Sequence, residues 1–111
     1  MVPICIYPRW NFLLLAINQL VNHLDKLKEI SDGKINSKVI IRTAIGSIKP
    51  LDPQAQHTGD FTSSIICMCK NINVVNVSKT EDIFEAYNIA YNRTDNISSL
   101  IVETADFYNE K

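Results

Sequence analysis

His57 stands in a stretch of small and polar residues, Pro53-Gln-Ala-Gln-His-Thr-Gly-Asp60, and an imidazole in a loop can accept or donate a proton near neutral pH. A loop histidine is as readily a solvated polar residue, so its meaning depends on what lies beside it. Tyr7, Trp10 and Phe12 are close neighbours in the chain, where a flat ring can stack on a planar ligand or simply close the core. Arg42 can bind an anion or pair with a carboxylate such as Asp60. His23 falls on the flank of an amphipathic run, where a boundary position accounts for it.

The cysteines and the missing signatures narrow the chemistry further. Cys5, Cys67 and Cys69 are odd in number, and Cys67 and Cys69 are separated by a single residue in an apolar run. That spacing suits neither a disulfide framework nor a four-ligand zinc site, so all three are expected to be reduced, buried thiols, and no metal site is expected. Asn76-Val-Ser78, Asn92-Arg-Thr94 and Asn96-Ile-Ser98 match the glycosylation triplet, but the sequence shows no secretory signal and they are expected to be unmodified. The P-loop, the Gly-x-Gly-x-x-Gly run, the Gly-x-Ser-x-Gly elbow and the His-Glu-x-x-His helix do not occur. Nucleotide hydrolases, dinucleotide-binding dehydrogenases, α/β-hydrolases and zinc proteases therefore lack their signatures.

At 111 residues, 46% hydrophobic and 21% charged, the chain has the composition of one ordinary folded domain. Eleven basic residues against twelve acidic ones leave a formal net charge of -1, without the bulk charge that draws nucleic acid or an anionic membrane. The apolar stretch Phe12-Leu-Leu-Leu-Ala-Ile17 is interrupted by Asn18 and Gln19. It falls short of the roughly 18 apolar residues of a membrane span, and a cytoplasmic placement is expected.

The elements that must position these side chains follow from periodicity. Val2 to Ile6 is an almost unbroken apolar run with β-branched residues, as in a strand covered on both faces of a parallel sheet, with Pro3 tolerated near its start. Asn11 is a candidate N-cap for a helix in which Leu13, Ile17, Leu20, Leu24 and Leu27 form a core-facing stripe. Leu14 and Val21 widen that stripe, while Asn18, Asn22, Asp25, Lys28 and Glu29 take the polar side. Gly33 supplies the stop. Further strands are expected over Lys38 to Thr43, Asn73 to Val77 and Ser99 to Glu103. One helix, capped by Asp60 or Thr62, contains Ile65, Ile66, Met68 and Cys69; another, opened by Ser78 or Thr80, contains Ile83, Phe84, Tyr87, Ala90 and Tyr91. Residues 105–111 are expected to fray. Strand and helix alternate throughout, which predicts an α/β fold with a mostly parallel sheet and helices on both faces. Ligands of such sheets sit beyond the carboxyl ends of the strands, where Tyr7 to Phe12 and the long loop from Ala44 to Asp60 both lie.

The ordered series Val2-Pro-Ile-Cys, Asn11-Phe12, Ala16-Ile-Asn-Gln19, Val21-Asn22, Ser31-Asp-Gly33, Ile41-Arg-Thr-Ala-Ile-Gly46 and Gln56-His57 resembles the transketolase-type pyrimidine-binding domain of thiamine-diphosphate enzymes. It is most similar to the β subunit of the E1 component of pyruvate and branched-chain 2-oxoacid dehydrogenases. The resemblance continues through Asn73-Val-Val and Leu100-Ile-Val-Glu103. It implies that Phe12 stacks on the aminopyrimidine ring, that Pro8 lies near the cofactor in place of a larger apolar residue, and that His57 serves acid/base steps or orients the substrate. Thr58-Gly-Asp60 replaces the family's usual Ser-Gln after that histidine.

The family also uses a glutamate on a segment before the first of these strands, and a Gly-Asp-Gly motif with a following asparagine on a separate domain that holds magnesium and the diphosphate. Neither is found in this sequence, whose first carboxylate is Asp25. The resemblance therefore implies that residues 1–104 are the carboxyl-terminal portion of one pyrimidine-binding domain, followed by a tail over 105–111. Such a chain is inactive alone. It would take up thiamine diphosphate with magnesium only when assembled, as a hetero- or homo-oligomer, with an E1 α-like diphosphate-binding domain or subunit. The alternatives are a non-catalytic remnant or protein-interaction module that retains the fold, and a small flavodoxin-like binding domain. The latter wants a Ser/Thr/Gly-rich phosphate loop where Tyr7-Pro-Arg-Trp10 stands.

Overall fold

The structure is a computed structural model that describes residues 1–109. Four strands, β1 (Ile4–Ile6), β2 (Ile40–Ile45), β3 (Ile72–Asn76) and β4 (Ser98–Thr104), form one sheet in the order β1-β2-β4-β3. Every pairing is parallel. The α/β architecture expected from the alternation is thus the observed one.

The sheet is built outward from β4, whose Leu100, Ile101 and Val102 are fully buried. Burying side chains of this kind contributes roughly 1.5–3 kcal/mol each. Successive strand residues point to opposite faces, and each face has its own core. Leu100, Val102 and Ile41 pack with Trp10, Leu13, Leu20 and Ile65 on one side, while Ile101 and Ile40 pack with Val77 and Ala90 on the other. Helix α3 (Thr62–Met68) supplies Ile65 to the first core, and α4 (Ile83–Asn92) supplies Ala90 to the second. Helices therefore cover both faces, as expected.

The chain between β1 and β2 departs from the regular helix that its stripe predicts. It runs as α1 (Trp10–Leu13), a 3₁₀ turn (Leu14–Ala16), a π-helical stretch (Gln19–Leu24) and α2 (Leu27–Ile30). Arg9, in an extended conformation, precedes the first turn with no side-chain cap, so Asn11 is not the N-cap. Within the π stretch the Asp25 N–H donates to the Leu20 carbonyl, one residue beyond the α-helical partner. The extra residue shifts the phase of everything that follows. Asp25, expected on the polar side, is consequently buried, where its carboxylate accepts the Asn71 backbone N–H at 2.7 Å. Leu14 turns outward instead of widening the stripe. The helix ends with Asp32 and Gly33 at positive φ, and the Gly33 N–H closes onto the Lys28 carbonyl.

Two further expectations change. β1, expected to be covered on both faces, is one of the sheet's two edge strands, with Ile4 53% and Ile6 63% exposed. In register with Ile40 and Arg42, these side chains lie on the α4 side of the sheet, but α4 packs over the central strand instead. The tail over 105–111 does not fray in its described part: Ala105–Asn109 forms a 3₁₀ turn anchored by Tyr108, while residues 110 and 111 lie outside the described residues. Among the described residues no helix is long and apolar enough to cross a membrane.

Candidate functional site at the carboxyl ends of β1 and β2

The end of β1 leads through Tyr7 to Arg9 directly into α1, and the end of β2 leads into the long loop that returns as α3. These two exits bring Arg9, Trp10, Asn11 and Phe12 against Gly46 and His57. The Phe12 and His57 rings stack, with centroids 5.4 Å apart and an interplanar angle of 26°. Phe12 remains 41% exposed and His57 is half-buried. Pro8, the third residue singled out by the resemblance, is exposed in the turn that precedes α1.

His57 closes a 3₁₀ turn, Ala55–His57, whose first hydrogen bond runs from the His57 N–H to the Gln54 carbonyl at 3.0 Å. Gln54 sits at φ 64°, a conformation that a residue with a β-carbon adopts at a cost of about 1–3 kcal/mol. The Asp52 carboxylate accepts the Gln54 N–H at 2.8 Å and steadies the turn from upstream. From the other side, Arg9 Nη1 donates to the His57 carbonyl at 3.0 Å. Gly46 lies beneath this contact. A β-carbon there would fall 2.1 Å from Arg9 Nη1 and 2.3 Å from the His57 oxygen, so only glycine leaves room for the bond. Gly59 plays a similar part for Phe61, whose ring meets Trp10 edge-on at 6.3 Å.

Several buried polar atoms of the described residues are left without partners. Trp10 Nε1, Asn11 Oδ1, Thr43 Oγ1 and His57 Nδ1 are buried and make no hydrogen bond; the fifth such atom among the described residues is Ser99 Oγ, at the start of β4. Buried side-chain donors and acceptors are nearly always paired, and leaving one unpaired costs about 1–3 kcal/mol. Asn11 and His57 belong to the junction of the β1 and β2 exits, whereas Trp10 and Thr43 are fully buried, Trp10 within the core that covers one face of the sheet.

Arg42 does not meet Asp60. It pairs instead with the buried Glu103 across β2 and β4, donating from Nε at 3.2 Å and from Nη2 at 3.0 Å. Tyr87 donates to the other Glu103 oxygen at 2.5 Å, and Tyr108 also donates to this carboxylate. Burial by itself raises a carboxyl pKa, but the bonds from Arg42, Tyr108 and Tyr87 outweigh it and hold Glu103 below its ordinary value. Burial and the Glu103 charge push the Tyr108 hydroxyl up to about 12. This cluster is fully satisfied on the α4 side of the sheet and is structural.

Cys69 is buried and its thiol is pushed up to about 11, chiefly by desolvation, whereas Cys5 and Cys67 are exposed, contrary to the expectation that all three are buried. His23 is exposed, as its flanking position suggests. No group of three or more potential metal ligands occurs among the described residues.

Arg9 and the orphaned Asn11 oxygen were not legible as site residues in the sequence. The available signal was Gly46 directly after β2, where a strand exit without a side chain marks a close approach. No family model matches the chain, and a search of curated proteins returns no match.

Proposed function

We propose that the chain forms the aminopyrimidine side of a thiamine-diphosphate site in a 2-oxoacid dehydrogenase E1 β-like or transketolase-like enzyme, working with a partner that carries the diphosphate-binding domain. The observation that carries this reading is the stacking of the Phe12 and His57 rings where the exits of β1 and β2 meet, with centroids 5.4 Å apart. The residues fit the group. Phe12 offers an exposed aromatic surface for stacking, while Asn11 Oδ1 can accept from an exocyclic amine and His57 Nδ1 can exchange a hydrogen bond with a ring nitrogen or substrate oxygen.

When bound, thiamine diphosphate would supply nucleophilic thiazolium chemistry towards a 2-oxoacid or ketose. The chain's own contribution is binding and proton handling. Phe12 orients the flat ring, the β1 and β2 exits exclude water beneath it, and the His57 imidazole holds or moves a proton at Nδ1. In this reading magnesium and the diphosphate would be held by the partner. The isolated chain is therefore expected to be inactive.

A second reading, a non-catalytic interaction module retaining the fold, draws on the open β1 edge, where Ile4 and Ile6 are exposed. Calorimetric titration of thiamine diphosphate with magnesium into the chain, reconstituted with an E1 α-type subunit, separates the two. Saturable binding that disappears in Phe12→Ala supports the cofactor site. Absence of binding, or equal binding by Phe12→Ala, leaves the interaction module.

A further inference from the structure

We infer that Arg9 is a positioning residue, whose guanidinium reaches over Gly46 to the His57 carbonyl and thereby holds the His57 imidazole against Phe12. Three observations converge on it. The Arg9 bond at 3.0 Å joins segments 48 positions apart and is the hydrogen bond that ties the His57 turn to the exit of β1. The turn itself contains Gln54 in a strained conformation, and strained backbone persists only where the surroundings over-determine it. Finally, the contact passes through space that only a glycine at position 46 leaves open.

The physical argument concerns rigidity. The His57 ring is not held by its own nitrogens, since Nδ1 is unpartnered, so its orientation is inherited from its backbone and from the Phe12 face. The Asp52 bond fixes the upstream arm of the turn, and Arg9 fixes the residue that carries the ring. Releasing Arg9 frees the turn to relax Gln54 and to carry His57 away from Phe12. Arg9 donates from its terminal nitrogen to a backbone oxygen, and it supplies no side-chain cap to α1. Its truncation therefore leaves the core and the helix start intact. The importance of this placement for proton transfer rests on the cofactor reading above; the tether itself does not.

Proton NMR of the uncomplexed chain tests the tether without any cofactor. The stacked Phe12 ring shifts the His57 ring protons upfield, and the exposed His23 serves as the unshifted internal reference. Arg9→Ala is expected to abolish the upfield displacement as fully as Phe12→Ala does. Gly46→Ala, which removes the contact from the opposite side, is expected to do the same, and Arg9→Lys, which keeps one donor, to recover it in part. Displacement that survives in Arg9→Ala but not in Phe12→Ala overturns the inference, as does its absence from the parent chain.

A parallel titration of the reconstituted protein with thiamine diphosphate and magnesium separates the two readings. If the parent binds and Arg9→Ala binds equally well, the positioning role fails while the cofactor site stands. If the parent does not bind, the cofactor site fails and the NMR result alone judges the tether.

Discussion

A methyl group at position 46 would enter the space in which Arg9 meets the His57 carbonyl, whereas at Gly33, despite its φ of 74°, a β-carbon would meet nothing within 4 Å. Gly46→Ala is thus expected to destabilise the fold by about 1–3 kcal/mol through overpacking, measured as a lower urea midpoint. The Glu103 carboxylate presents a different kind of residue-scale dependence. Its pKa is lowered in the folded state, so its contribution is complete above the unfolded carboxylate range and is lost as pH falls through the folded value. Glu103→Gln should cost about 1.5–3 kcal/mol at neutral pH, and the gap to the parent should close on acidification. A gap that does not depend on pH would contradict the assignment of the charge to this network. Residue type marks Phe12 and His57 only as candidates, and it is the resemblance that singles them out together. Their mutual stacking was not legible in the sequence, because it depends on a turn whose shape is set by Gln54, Asp52 and Arg9 together.

At the scale of elements, β2, β3 and β4 are recognisable from unbroken β-branched and aliphatic residues, since a covered parallel strand has no polar face to interrupt the pattern. Their ends differ by one or two residues, as with β2, predicted from Lys38 and observed over Ile40–Ile45. β1 carries the same pattern and yet lies at the edge, because composition reports what a strand could bury and is silent on which neighbours it has. The helix between β1 and β2 is the other case. A heptad-like stripe assumes constant phase, and the π stretch Gln19–Leu24 breaks it, bringing Asp25 inward to hold the Asn71 N–H ahead of β3. Asp25→Ala leaves that N–H and the Asn71 side chain seeking new partners. It is expected to cost about 1–3 kcal/mol, read by chemical denaturation.

Over the whole molecule, the described residues form a four-stranded α/β unit with helices on both faces of the sheet and β1 and β3 at its two edges, the β1 edge exposing Ile4 and Ile6. Beside that edge a groove of about 220 Å³ runs along Cys5, Tyr7, Ala16 and Leu20, and Ile4 and Ile6 extend the apolar surface onto the other face. An edge of this composition templates pairing. Ile6→Lys should therefore reduce self-association of the isolated chain in sedimentation velocity while changing its stability by no more than about 0.5 kcal/mol, since Ile6 is 63% exposed. The near-neutral net charge of -1 places no electrostatic barrier against such contacts.

The central claim, that the exits of β1 and β2 form the ring-binding half of a thiamine-diphosphate site, is open to one direct measurement. Trp10 is the sole tryptophan and opens α1 two residues before Phe12, and its buried indole N–H has no partner, so its resonance in a nitrogen-15 correlation spectrum is an unambiguous reporter from the core beside α1. Titrating thiamine diphosphate with magnesium into the labelled chain in complex with an E1 α-type subunit should move that resonance saturably, together with the Asn11 side-chain amide, while those of Asn88 and Asn92 on α4 stay in place. A spectrum in which Trp10 and Asn11 remain still at saturating cofactor would contradict it.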